Sequence, residues 1–271
     1  MTDPGSLLAH QRRALILEEV RRRGGVRVNE LTRTLNVSDM TVRRDLDVLA
    51  REGRLRKVHG GAVPGGEPSS HEPGFEAKSE WETAAKTAIA RTAATLVTPG
   101  SAIALSAGTT THALAGELTR IAGLTVVTNS VRTAEVFEGA RSAGSGTTVI
   151  LTGGIRTPSD ALVGPVADQA IRSLHVDLLF LGCHGLGAVT GLTTPNLAEA
   201  ETNRAFLCSA RRAVLLADHT KWSAVGLTTF ATLEDIDVLV TDFLPKDEAT
   251  AATEQVAEVL LAPGVADERP W

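Results

Sequence analysis

"VSDMTVRRDLDVL", residues 37–49, decides how the first part of the chain is read. Val42, Leu46 and Leu49 recur at i, i+4 and i+7, the spacing of one buried helical stripe. At 100° per residue, Met40, Arg43, Arg44 and Asp47 point away from that stripe, and Thr41 lies at its border. Ser38 stands where an N-cap belongs. Two arginines facing outward on a short helix after a tight turn have the geometry of a recognition helix entering a DNA major groove. Arginine pairs bidentately with a guanine edge or with a phosphate, and the spacing does not say which arginine does which. The plainer reading is that both solubilise the helix and pair with Asp45 or Asp47.

The flanking sequence favours DNA. A helix over about 11–22 carries Leu15, Ile16 and Val20 on its apolar side. A second, about 29–35, is expected to be capped by Asn29 and to turn Leu31 and Leu35 inward. After the third helix, "GRLRKVHGGA" (53–62) has glycine at both ends of a short basic stretch, the pattern of a β-wing. A wing lays Arg54, Arg56, Lys57 and His59 along the phosphate backbone; a role in folding the wing suits His59 equally well. Residues 1–62 hold 13 Lys+Arg against 8 Asp+Glu, a charge of +5, while the whole chain is at −5 and the remainder therefore at −10. A basic head on an acidic body expects a polyanion at the head alone.

The 271 residues suffice for two domains, and 43% hydrophobic with 22% charged residues is ordinary globular composition. No apolar run reaches the ~18–20 residues of a membrane span, and no secretion signal is read at the N-terminus, so a cytoplasmic protein is expected. Cys183 and Cys208 are too few for a disulfide framework or a zinc site, and with His184 beside it Cys183 still makes a poor metal pair. "AVPGGEPSSHEPG" (62–74) is the best linker candidate.

Beyond it a helix is read at about 78–97. Continuous apolar runs follow at 102–105, 124–128, 147–152, 176–182, 212–217 and 238–241, with helical patterns at 109–119, 131–138, 197–209 and 246–260. Continuous runs are what strands buried on both faces of a parallel sheet require. The alternation predicts a doubly wound, mostly parallel α/β domain. In such sheets ligands collect outside the carboxyl ends of the strands. There the sequence places "SAGTTTH", "NS", "GGIR", "GCHG", "DHTK" and Asp242. Gly108 lets backbone approach an anion, Thr109 and Thr110 offer hydroxyls at a helix N-terminus, and Lys221 with Arg156 supplies positive charge: chemistry suited to a phosphorylated polyol. An ordinary threonine-capped turn at 108–110, a plain turn at Gly153–Gly154 and a surface lysine at 221 are the alternatives. Asn196 with Glu199 three residues on reads as an N-cap and capping box rather than as part of a catalytic carboxylate pair.

The stretch from "RRALILEEV" to "VHGGAV", above all "VSDMTVRRDL", resembles the N-terminal signature of the DeoR family of bacterial transcriptional regulators. The later pieces "GTTT", "VVTNS", "TGG.R", "LVGP", "DLLFLG" and "LADHTKW" are similar to that family's sensor domain. The resemblance implies a winged helix-turn-helix that binds operator DNA, usually as a repressor, with a ribose-5-phosphate-isomerase-like domain that senses a sugar phosphate. Position by position it implies effector contacts at Gly108, Thr109, Thr110, Asn129, Ser130, Gly153, Gly154, Arg156, Gly182 and Lys221. Two departures stand out. Ser106 replaces the acidic residue common before "AGTT", and His184 replaces the usual Asn or Asp; both would face the sugar, with a structural role for His184 left open. The expected organisation is a DNA-binding domain over 1–62, a linker over 63–77, a sensor over 78–262 and a tail over 263–271. The expected protein is at least a homodimer and not an enzyme, works without a cofactor or metal, and has operator DNA and a phosphorylated sugar as partners. The alternative is a sugar-phosphate isomerase-like enzyme with a DNA-binding head.

Overall fold

The computed structural model describes residues 9–23, 26–51, 54–58, 60–64, 70, 72, 74–141, 146–245, 250, 252 and 254–263. Contacts divide the chain into two compact units, Met1–Ser69 and Ser70–Trp271.

The first unit runs α1 (Ala9–Arg23), β1 (Val26–Arg27), α2 (Val28–Leu35), α3 (Asp39–Arg51), β2 (Leu55–Val58) and β3 (Gly61–Pro64). One small core holds it together: Ile16, Leu17 and Val20 of α1 meet Val28, Leu31 and Leu35 of α2 and Val42, Leu46 and Leu49 of α3. Leu17 takes the inward place expected of Leu15, which is 38% exposed. Helix α2 starts at Val28, with Arg27 at the cap and no side-chain bond there, so Asn29 is not the cap. Asn36 closes α2 in the left-handed region, φ 50°, a conformation asparagine tolerates better than most residues. Strand β3 pairs antiparallel with both β2 and β1, which forms the wing.

The second unit continues with α4 (Phe75–Ser79), α5 (Thr83–Ala94), β4 (Ala102–Leu105), α6 (Thr109–Leu118), β5 (Thr125–Thr128), α7 (Val131–Arg141) and β6 (Thr148–Leu151). A hairpin, β7 (Ile155–Arg156) and β8 (Leu162–Val163), leads to α8 (Pro165–Arg172) and β9 (Val176–Leu181). Then come β10 (Gly185–Gly187), β11 (Gly191–Thr194), α9 (Leu197–Ser209), β12 (Ala210–Ala217), β13 (Thr228–Ala231), β14 (Val238–Thr241) and β15 (Glu258–Leu261).

Among the described residues the main sheet has seven strands in the order β15-β14-β12-β9-β4-β5-β6, and every pairing is parallel. Alternate residues along each strand serve opposite faces. Ile103, Leu105, Val126, Phe180 and Val214 pack with α5, α6 and α7. Ala104, Val127, Leu179, Leu181 and Leu215 pack with α8, α9 and the smaller sheet of β10, β11 and β13. Both faces are covered, so the strands read as continuous apolar runs.

Three expectations need correcting. The helix read over 78–97 is two, α4 and α5, broken at Glu82, which has φ 50°. The helical reading of 246–260 ends instead in an edge strand, β15, paired with β14. Finally, Glu72 and Phe75, inside the stretch read as linker, are bonded into the second unit.

Candidate functional site

In the first unit, Ser38 caps α3: its Oγ accepts from the Thr41 amide at 3.3 Å and lies 2.8 Å from the Thr41 hydroxyl. Met40 is 80% exposed, and Arg43, Arg44 and Asp47 are exposed beside it. Arg43 bonds Asp39 one turn back, at 2.5 Å, rather than Asp45 or Asp47. Asp45 is instead buried against Arg12 at 2.5 Å. Asp47 takes Lys57 of the wing, also at 2.5 Å, which ties β2 to the outer face of α3. Arg54 is exposed at the start of the wing and Arg56 lies in β2; His59 lies outside the described residues. The unit therefore offers an exposed, arginine-bearing helix with a basic hairpin pinned to it.

In the second unit, by order along the chain, the strands lie 3-2-1-4-5-6-7. Strand order reverses between β4 and β9, and the crevice outside the carboxyl ends at such a point is where open α/β sheets bind ligands. The loops there are Ser106–Gly108 and Gly182–His184. They are stitched together: the Gly182 amide donates to Ser106 Oγ at 3.4 Å, and Ser106 is 2% exposed. Gly108 opens α6, and the first-turn amides at Thr109–Thr111 have no acceptor within that helix. Thr110 is buried and Thr109 half-buried. Lys221 lies in the 3₁₀ turn His219–Ser223 after β12, and its amide bonds the Asp218 carbonyl. His184 is half-buried, its amide donating to the Thr193 carbonyl at 3.0 Å.

Several other residues expected to contact an effector also bond the protein's own loops. Asn129 accepts from the Ala107 amide at 2.7 Å and donates to the Leu162 carbonyl at 3.0 Å, which spends both ends of its side chain on neighbouring loops. Ser130 accepts from the Thr133 amide and is 1% exposed. Gly153 takes φ 72°, and a Cβ on Gly154 would stand 2.6 Å from the Val163 carbonyl oxygen, so glycine is required where the chain enters the hairpin beside β8. Arg156 is exposed and paired with Asp160 at 2.7 Å.

A charged cluster that the sequence reading did not assemble sits on the same edge. Lys86, 5% exposed, donates to the carbonyls of Lys78 and Trp81 at 2.5 Å. Burial, against the pull of Asp218, lowers its ammonium to about 8. Burial likewise lowers Lys78, beside Glu199 and Lys221. Asp218 is buried too, but Lys221, Thr220 and Lys86 overcome that burial and hold its carboxyl below the ordinary range. Burial pushes the Cys183 thiol up to about 12, which removes it as a nucleophile at neutral pH.

Glu199 corrects a further expectation. Asn196 is the N-cap, accepting from the Ala198 and Glu199 amides, but Glu199 does not complete a capping box. Its carboxylate accepts from Thr157 at 2.8 Å, from Ser159, and from Thr194 at 3.3 Å. Burial raises its carboxyl, and Glu72 lies in hydrogen-bond contact with it. A carboxylate pair therefore does exist here, although no side-chain spacing revealed it: Glu72 and Glu199 are 127 positions apart. Two buried ring nitrogens, His112 Nδ1 in α6 and Trp222 Nε1 beside Lys221, have no partner among the described residues. No described helix is long and apolar enough to cross a membrane. Among the described residues no metal-binding group of three or more His, Cys, Asp or Glu occurs.

A helix-turn-helix head joined to a parallel-sheet domain with a polar carboxyl edge is the architecture of a transcriptional regulator. Known proteins agree. Residues 12–64 match the DeoR-like helix-turn-helix domain and residues 81–243 the DeoR C-terminal sensor domain. The chain is 37% identical over 254 residues to the HTH-type transcriptional regulator YgbI of Escherichia coli (strain K12), covering 93% of this chain and 97% of that one. It is 34% identical to the lactose phosphotransferase system repressor of Staphylococcus aureus (strain N315), covering 90% and 95%. Among solved structures, ribose 5-phosphate isomerase A of Methanocaldococcus jannaschii overlaps 51% of this chain and 53% of its own at 18% identity and a TM-score of 0.37, too slight a likeness to bear on chemistry. The chain belongs to the DeoR family of transcriptional regulators.

Proposed function

We propose that the protein is a repressor of carbohydrate-metabolism genes whose operator affinity is set by a phosphorylated sugar bound at the carboxyl edge of the sensor sheet. The observation that carries this reading is the crevice at the β4/β9 strand reversal. The open first turn of α6 at Gly108–Thr110 suits a phosphate, Lys221 brings a cation to the same edge, and Ser106 and His184 line the approach. The lactose-system repressor among the relatives supports a sugar-linked role. At the head, Arg44 and Arg43 read bases or phosphate from α3, with Ser38, Met40 and Thr41 at its leading end. Arg54, Arg56 and Lys57 run along the backbone, and the working unit is at least a homodimer on repeated half-sites.

The protein is not an enzyme on this reading. The Glu72–Glu199 pair favours the isomerase alternative only weakly, because the chain's own hydroxyls already occupy Glu199. The test is a thermal melt of the purified protein against sugar phosphates and the free sugars. A ligand at ~100 times its Kd adds about 2.7 kcal/mol of stability. A shift with one phosphorylated sugar, lost in Lys221→Ala, is expected. A panel with no shift would sink the effector reading, and measurable turnover would favour the enzyme. Arg44→Ala is expected to cost ~1–3 kcal/mol of specific operator binding; equal loss on all DNA sequences would reassign it to phosphate.

A further inference from the structure

Glu72, near the start of the second unit, is fastened to it, and its carboxylate sits on donors of the kind a ligand would use. Oε1 accepts from the Ser159 amide at 3.2 Å and Oε2 from Asn196 Nδ2 at 2.9 Å. Ser159 lies in the turn of the β7–β8 hairpin and Asn196 caps α9, so the carboxylate bridges two loops at the carboxyl edge of the sheet, at the positive end of a helix. A backbone amide beside a side-chain amide is a donor pair for any anionic oxygen.

The chain that follows Glu72 is bound across the same edge. Phe75 is 7% exposed, stacks edge-on against His112 of α6 with centroids 5.5 Å apart, and lies 4.5 Å beneath the Arg132 guanidinium. Arg132 bonds Glu76 at 2.6 Å and Asp160 at 2.5 Å. Lys86 holds the carbonyls of Lys78 and Trp81. Residues 74–81 thus touch the helices after β4 and β5 and are held at their far end from α5. Glu72 itself is half-exposed and lies against a second carboxyl, Glu199, whose like charge opposes having both ionised.

We propose that Glu72 is a tethered occupant of an anion-accepting donor pair at the carboxyl edge, closing residues 74–81 over that edge as a strap, and that an anionic ligand taking its place on Ser159 and Asn196 releases the strap. The competitor half rests on the sugar-phosphate reading above; the closure half does not.

Amide exchange on the full-length protein tests both halves. In Glu72→Ala, with no ligand, amides of 75–81 are expected to exchange at least about tenfold faster while β4, β5 and β9 are unchanged. Unchanged exchange in 75–81 would overturn the strap. In the wild type, inorganic phosphate and then each sugar phosphate of the panel should speed exchange in 75–81 and slow it at 106–112. A ligand that slows both segments overturns competition, since it would bind beneath a closed strap. Glu72→Ala should bind that ligand about tenfold more tightly, because the closed form no longer competes; equal affinity also overturns competition. If nothing on the panel binds either protein while the variant still loosens 75–81, the sugar-phosphate reading and the competitor half fall together and the closure half stands.

Discussion

Asp45 shows how one side chain commits the head to its fold. It sits on the inner side of α3, 5% exposed, on a helix whose other buried residues are aliphatic. Only Arg12, reaching across from α1 at 2.5 Å, makes that burial tolerable. Removing one partner of such a pair strands a charge, at a cost of about 3–5 kcal/mol. Arg12→Ala is therefore expected to unfold the first unit far below the melting point of the wild type, seen as lost exchange protection across α3 with the sensor sheet still protected. A loss under 1 kcal/mol would show that water reaches Asp45. Glu199 teaches the complementary lesson. Its spacing from Asn196 fits a capping box, yet two hydroxyls of the β7–β8 hairpin and that of Thr194 in β11 are better partners than the Asn196 amide. Local spacing named the cap correctly and misjudged the carboxylate, because the competing donors come from Thr157, Ser159 and Thr194.

At the scale of elements, the wing depends on one close approach. A Cβ on Gly61 would stand 2.1 Å from the Val26 carbonyl oxygen, where β1 pairs with β3. Gly61→Ala must push the strands apart, at a cost on the order of 1–3 kcal/mol. DNA affinity should fall with it, while any ligand-induced shift of the sensor melt stays intact; a wild-type wing in the variant would show that the backbone yields. The misread elements share a cause. Helix α5 begins after a left-handed residue, Glu82, and β15 is an edge strand with an exposed, half-buried, half-buried, exposed pattern. A four-residue edge strand is stabilised by its neighbour β14 rather than by its own periodicity, so a helical pattern nearby overrode it.

For the whole molecule, charge is divided between the two units. The basic head, at +5 over residues 1–62 within a chain of −5, makes DNA affinity fall with salt while sensor stability is governed by its own buried charges. Lys86 contributes on the alkaline side. Its folded value of about 8 lies below the ordinary 10.5, so between those values the unfolded chain binds more protons and folding becomes more favourable as pH rises. The gain from this group is on the order of 3 kcal/mol across that window. Denaturant unfolding at pH 7.5 and 10 should show the rise in wild type and a flatter profile in Lys86→Met. Equal slopes would mean that Lys86 remains solvated.

The recognition-helix stripe, the basic wing, the continuous runs of the parallel strands and the small and hydroxylic residues at their carboxyl ends were all legible from the chain alone. Helical and strand periodicity are local properties, and strands covered on both faces announce themselves by lacking polar residues. The tertiary structure alone decided which of those polar residues bond neighbouring loops of the protein, as Asn129 does. It also brought Glu72, Lys78, Lys86, Glu199 and Lys221 to one edge. Their meeting depends on strand order and on two loops closing over the sheet, and burial then changes what each charge does: contacts between residues more than a hundred positions apart leave no period in a sequence.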